Sequence, residues 1–291
     1  MDDDRFWRWA AFGPALALMI AMAVLPLANL FLTSFYDVAW SGGRANWTPV
    51  GFAHYPQMLS DPLLKAGMIN TTLFAIGAVG GQMVLGLLLA VLVSRIDRGR
   101  VFFRAVFILP ILIPGIVIGA IWKLMLNFDF GLVNQVLGLV GIPPSDWLGD
   151  PHTALLTVMA VDIWHWTPFC FLLFLAGIES LPTDIFEAAR IDGASAWQEF
   201  LLVTVPLMIP TILVTFAFRL VIAFKVFDEV YLLTSGGPGT STEVLSFTLF
   251  QRFFTEDRVG YGSAMSVAVI FFISILLVVA LTAGRAARAR P

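Results

Sequence analysis

The chain has 291 residues, of which 59% are hydrophobic and only 13% charged, with a mean hydropathy of +0.88. A soluble domain of this length needs more charge to cover its surface, so the bilayer is the expected solvent. A net charge of −3 gives no reason to expect a nucleic-acid partner or a polyacidic tail, and the one cysteine, Cys170, forms no internal disulfide.

A helix crossing ~30 Å of hydrocarbon takes about 20 mostly apolar residues. Six stretches qualify, at residues 10–35, 71–94, 104–126, 154–178, 207–230 and 263–284. The first is too long for a signal-peptide core and no clean small-residue cleavage site follows it, so it is expected to remain as a helix, with Pro26 the place for a kink. The connection at 36–70, the longest on its side, is too short for a soluble domain, and one membrane domain over 1–291 is expected. Gly77 and Gly81 in the second stretch, and Gly115 and Gly119 in the third, have the small-xxx-small spacing of close helix packing, within the bundle or against a second subunit. Cys170, inside the apolar fourth stretch, reads as a small buried hydrophobe.

Basic residues set an orientation. Arg5, Arg8, Arg95, Arg98, Arg100, Arg104, Arg190, Arg285, Arg288 and Arg290 fall on one side, against Arg44, Lys65, Lys123, Arg252 and Arg258 on the other. The positive-inside rule then puts both termini in the cytoplasm, and Trp40, Trp47 and Trp147 in outer loops where indoles sit at the headgroup level.

Between the fourth and fifth stretches lies a polar insert on the cytoplasmic side. Asp184 through Glu187 has the spacing of a capping box and predicts a helix starting near Ile185. Ser195 through Gln198 repeats the device and predicts a second helix starting near Ala196. Gly193 is placed to close the first helix in the left-handed conformation, and Pro206 and Pro210 bracket the approach to the fifth span. The result is a helix–turn–helix elbow. Ala188, Ala189, Gly193, Ala194 and Ser195 allow a partner's backbone close. Glu187, Arg190 and Asp192 offer charge, while Phe186, Ile191 and Trp197 offer apolar anchors. The other reading is an amphipathic helix lying on the membrane surface.

Ionisable groups within spans are costly and therefore candidates for function. Asp162 and His165 share one face of the fourth span, and Arg219 lies near mid-depth in the fifth, with Lys225, Asp228 and Glu229 further out. Asp162, Trp164, His165, Arg219, Lys225 and Asp228 are the candidates for a substrate pathway. For Lys225 a local ion pair with Asp228 or Glu229, or snorkelling to the interface, is the alternative. His165 between Trp164 and Trp166 reads either as an interfacial belt or as a sugar-stacking group. Arg219 reads also as a structural tie between helices.

Some functions are excluded. A phosphate-binding P-loop needs Gly-Lys-Ser/Thr, and the three lysines follow Leu64, Trp122 and Phe224, so any ATP must be hydrolysed by another chain. No metalloprotease helix or nucleophile elbow occurs, which speaks against an enzyme. An ion-coupled secondary transporter using Asp162, Asp228 and Glu229 is the alternative transport mechanism.

The order Glu187-Ala188-Ala189, Gly193, then Val203-Thr204-Val205-Pro206 resembles the coupling motif of binding-protein-dependent ABC importer permeases. The family usually ends this motif in Ile-X-Leu-Pro, where valine here keeps the apolar character. The runs Trp164–Phe169, Val226–Thr234 and Gly236-Gly237-Pro238 resemble the carbohydrate-uptake branch, as do Asn70-Thr71-Thr72 and Gly131–Asn134. The Phe227-Asp228 and Gly-Gly-Pro signatures are similar to those of the maltose-permease-like first subunit. The Trp-Asn-Glu-Phe element of its usual partner is absent. The resemblance implies an all-α integral membrane protein, a six-span bundle of the type I ABC importer permease kind with a cytoplasmic coupling-helix elbow at 183–206. It implies a heterodimer with a second permease subunit, a cytoplasmic ATP-binding subunit dimer, and a periplasmic or lipid-anchored solute-binding protein. ATP and Mg would sit on the ATPase, with no cofactor on this chain. Glu187, Ala188, Ala189, Asp192, Gly193 and Pro206 would carry ATPase coupling, and the cargo would be a sugar or related polyol.

Overall fold

In lipid a long apolar run satisfies its backbone hydrogen bonds only as a helix or a closed barrel, and this chain takes the first course. The computed structural model describes residues 3–96 and 98–288; Arg290, one of the residues used for orientation, lies outside the described residues. In chain order come α1 (Asp3–Thr33), a hairpin of β1 (Tyr36–Ser41) and β2 (Arg44–Pro49), α2 (His54–Met58) and α3 (Pro62–Ser94). Then follow α4 (Arg100–Ile108), α5 (Gly115–Met125), α6 (Leu132–Leu139), α7 (Ala154–Glu179), α8 (Thr183–Ile191) and α9 (Ala196–Gln198). The chain ends with α10 (Val205–Ala223), α11 (Asp228–Leu233), α12 (Leu245–Phe250) and α13 (Val259–Arg288). Among the described residues five helices are long and apolar enough to cross a membrane, or six if α4 and α5 count as one bent span.

That third span is the first correction to the sequence reading. It is not one helix over 104–126, because α4, extended by a 3₁₀ turn at Leu109–Leu112, meets α5 at 93°. The cause is local. Pro114 disfavours helical geometry at the residue before it, and Ile113 is extended at φ −90°, ψ 127°. The fifth span is corrected at both ends. It stops at Ala223, so Asp228 and Glu229 stand on the separate helix α11. At its start, α9 runs through a π-helical segment (Glu199–Thr204) into α10 as one apolar element from Ala196 to Ala223. Pro206 supplies no N–H to the turn before it, and the widened π register falls just there, with the Thr204 hydroxyl donating to the Glu199 carbonyl.

The chain divides into two compact units, the first comprising residues 1–62 and 249–272. In it the connection after α1 is not all loop: the hairpin turns at Gly42 and Gly43 with φ of 58° and 75°. Positive φ at both central residues is what a tight hairpin turn demands, and glycine takes it without strain. Asp61 is held in this unit by the Tyr261 hydroxyl (2.9 Å) and by Arg252 Nη2 (2.9 Å), while Arg252 Nη1 also pairs with Glu256. In the most apolar window of α1 nothing is buried.

The second unit comprises residues 63–248 and 273–291. Its core joins α3, α7 and α10, with Ala90, Val93, Cys170, Phe171, Phe174, Leu175 and Met208 buried together. Small residues set the spacing. A Cβ added at Gly77 would lie 2.9 Å from the Met159 sulfur, at Gly81 2.7 Å from Ile163, and at Gly86 2.6 Å from Cys170 Cβ. Likewise Gly115 and Gly119 of α5 pack against Asp228 and Leu232 of α11. Both glycine pairs thus serve packing within the unit, and Cys170 is a buried free thiol.

Candidate functional site

The elbow between α7 and the Ala196–Ala223 element is built from local signals. Helix α8 starts at Thr183, two residues before the expected Ile185, because Pro182 in extended geometry (φ −61°, ψ 131°) already occupies the cap position. Asp184 therefore does not cap; it stands in the first turn, where its charge still favours the helix dipole. At the other end Gly193 has φ +81°, Gly193 N donates to Arg190 O (3.1 Å) and Ala194 N to Ala189 O (3.0 Å). This is the paired closure that terminates helices on glycine. Ser195 then forms the expected capping box. Its hydroxyl accepts from Gln198 N (3.3 Å), while Gln198 Oε1 accepts from Ser195 N (2.8 Å). Ile191 (86% exposed) and Trp197 (65%) project from the elbow, and Glu187, Ala188, Asp192 and Gly193 are exposed as well. Ala189 is half-buried, and Pro206 lies inside the continuous helix beyond.

Behind the elbow is a cavity of about 1000 Å³ whose charged lining includes Arg95, Arg100, Arg104, Glu179, Arg190 and Glu199. Glu199 is buried and accepts from two arginines: Arg95 Nη2 reaches Oε1 (3.1 Å) and Arg190 Nε reaches Oε2 (3.2 Å). Glu179, at the end of α7, pairs with Arg100 and Arg104 of α4.

Further along the same unit, the residues considered for a substrate pathway separate into two groups. Asp162, His165 and Arg219 are buried, Arg219 fully. Arg219 Nε donates to Gln82 Oε1 (2.7 Å) and Nη2 to Asp162 Oδ2 (3.2 Å), and the guanidinium lies 4.6 Å from the Trp166 ring centre. Gln82 Nε2 completes the triangle by donating to the same Asp162 oxygen (2.7 Å) and to its backbone carbonyl (3.0 Å). The tie therefore joins α3, α7 and α10. His165 makes a second tie, with Nε2 3.1 Å from Ile113 O at the break of the third span and Nδ1 3.1 Å from Glu229 Oε1. A carbonyl only accepts, so Nε2 carries its proton there.

Trp164, Lys225 and Asp228 are exposed. The local ion pair of Lys225 does not form, because the chain leaves the helix at Ala223 and Glu229 turns to His165. Trp164 packs edge-on to Trp122, with ring centres 5.5 Å apart. Among the described residues no group of three or more His, Cys, Asp and Glu side chains forms a metal site.

The sequence reading missed Gln82, Glu179 and Glu199. A lone amide in the middle of an apolar helix was a signal for the first. The second and third are acids on either side of α8, opposite arginines counted as markers of orientation, of which Arg190 was also read as a docking charge.

Residues 82–289 match the family described as binding-protein-dependent transport system inner membrane component. The chain is 34% identical to the trehalose/maltose transport system permease protein MalF of Thermococcus litoralis, over 94% of this chain and 91% of that one. It is 33% identical to the sulfoquinovosyl glycerol transport system permease protein SmoG of Agrobacterium fabrum, over 94% and 88%. Among solved structures, a bacterial ABC transporter involved in import of the acidic polysaccharide alginate matches with a TM-score of 0.87 at 21% identity, covering 100% of this chain and 98% of that one.

Proposed function

The chain belongs to the family of binding-protein-dependent transport system inner membrane components, and on that premise we propose that it is the permease subunit of an ATP-driven importer carrying a sugar or related polyol across the inner membrane. The observation that carries the mechanism is the elbow at 183–206. A short helix closed on Gly193 and a capped second helix present small residues and two exposed apolar anchors between two spanning helices. Such a surface seats in a cleft of a soluble partner, and with no P-loop in the sequence that partner is the ATPase. Glu187 and Asp192 hold register there, Ala188 and Ala189 permit close approach, Gly193 permits the turn, and Pro206 marks the join to the fifth span.

The arginine count places the elbow and both termini on the cytoplasmic side. A second permease subunit completes the pore, and a solute-binding protein delivers cargo from outside. ATP and Mg bind the ATPase, and the permease binds no cofactor of its own. The names of the relatives favour a sugar-like cargo. In this conformation Asp162, His165 and Arg219 are closed off by their own partners, so the pathway reaches them after the helices part, while Trp164, Lys225 and Asp228 are accessible already. The ion-coupled alternative draws no support from these relatives.

The test is a pull-down of the tagged chain in mild detergent, with bound proteins identified and ATPase activity assayed. Recovery of an ATPase and a second permease, lost on Gly193→Val, supports the reading. A chain that purifies alone even after crosslinking in membranes overturns it.

A further inference from the structure

Two carboxylates flank α8 of the elbow. Glu179 ends α7 just before the elbow, and Glu199 follows α8 within it, near the start of the continuous helix to Ala223. Covalently the elbow is joined only to these two spans. The second and third spans end more than fifty residues earlier in the chain, and their link to the elbow passes through side chains. Arg95, one residue past the end of α3, donates to Glu199, and Arg100 and Arg104 of α4 pair with Glu179. Arg190, on α8 itself, takes the other oxygen of Glu199.

Burial is unequal across these pairs. The Glu199 side chain is 9% exposed, whereas Arg95 and Arg190 are 42% and 66% exposed. A single buried carboxylate therefore holds two arginines from different elements that would otherwise repel one another. Both of its oxygens are engaged, so a rotation of α8 that kept the Arg190 contact would carry Glu199 and Arg95 with it. Surface ion pairs are worth little, but a desolvated carboxylate accepting two charge-assisted hydrogen bonds is in the stronger class.

We propose that Glu199 is a positioning residue that passes motion of α8 to the second span through Arg95, so that the elbow moves that span besides the two it is joined to. This rests on the reading of the elbow as the ATPase-coupling segment. Glu179 makes the corresponding link to the third span through Arg100 and Arg104. Arg95, Arg100 and Arg104 thus have a mechanical role besides their part in orientation.

The test uses the whole complex in proteoliposomes, with ATP hydrolysis and uptake measured together. The probe is the 14C-labelled sugar that the parent complex takes up from a panel of mono- and disaccharides. Glu199→Gln keeps the size and removes the charge; uptake per ATP hydrolysed is expected to fall about tenfold, the loss of one charge-assisted hydrogen bond. Glu199→Asp is expected to restore part of that ratio. Arg95→Gln, at a solvent-reaching position, removes only the link to the second span and should lower the ratio in the same way even where Glu199→Gln assembles poorly. A purely structural role would lower the yield of complex and leave the ratio unmoved. If Glu199→Gln and Arg95→Gln keep the parent ratio while Gly193→Val abolishes it, the inference falls and the coupling reading stands. If Gly193→Val also keeps it, or the parent shows no ATP-dependent uptake, the coupling reading falls and this inference with it.

Discussion

Removing Asp162 tests whether the Gln82–Asp162–Arg219 triangle ties the spans together. In Asp162→Ala, Arg219 keeps its 2.7 Å bond to Gln82 and its place over Trp166 but loses its counter-charge, with no solvent to replace it. Leaving one member of a buried pair uncompensated costs about 3–5 kcal/mol. Arg219→Met is the milder change. Asp162 is then left as an uncompensated buried charge but still accepts from Gln82 at its side chain and its backbone, so the expected loss lies at the low end of that range, about 3 kcal/mol. Combining the two removes both charges, and the double variant should be more stable than Asp162→Ala alone. The coupling energy in the cycle is then about 2–3 kcal/mol. Reversible unfolding in mixed SDS micelles, followed by tryptophan fluorescence, measures all four proteins. Losses that add to within about 0.5 kcal/mol would mean that the two side chains do not act as a unit.

Other outcomes follow from single contacts. Gly193 has open space around it, so Gly193→Ala meets no clash and costs only its left-handed backbone, about 1–2 kcal/mol, read as a small drop in melting temperature. Gly86→Val acts through packing instead, because its added carbons would strike Cys170 and the Phe171 backbone. The expected overpacking cost is about 1–3 kcal/mol, or loss of the folded protein from detergent extracts on size-exclusion chromatography. Tyr261→Phe removes one of the donors holding Asp61 and should lower stability by about 1.5 kcal/mol in the same SDS titration. Cys170, fully buried in the α3–α7–α10 core, should resist maleimide in the folded protein and react once SDS unfolds it; fast labelling of the native protein would contradict the packing described.

Much of this was legible because it was local. Gly193, Ser195 and Gln198 fix the elbow through turn and cap chemistry that acts within four residues, and the structure repeats the sequence reading there almost atom for atom. Apolar length found the spans for the same reason. What escaped depends on partners distant in the chain, or on competition between two local signals. At Asp184 a cap signal lost to the fixed geometry of Pro182 two residues earlier. In the third span apolar length promised one helix, and the prolines at 110 and 114 broke it. Gln82 and Arg219 are separated by 137 residues, and no periodicity reports that they touch. A local ion pair of Lys225 with Asp228 or Glu229 needs the helix to run on past Ala223, and it ends there.

The most direct measurement of the central claim is uptake of labelled sugar into proteoliposomes holding the complete complex, with the solute-binding protein outside. The account predicts accumulation only when ATP is enclosed in the lumen, abolished by Gly193→Val and indifferent to imposed proton or sodium gradients. Uptake that proceeds without ATP and follows one of those gradients would contradict it.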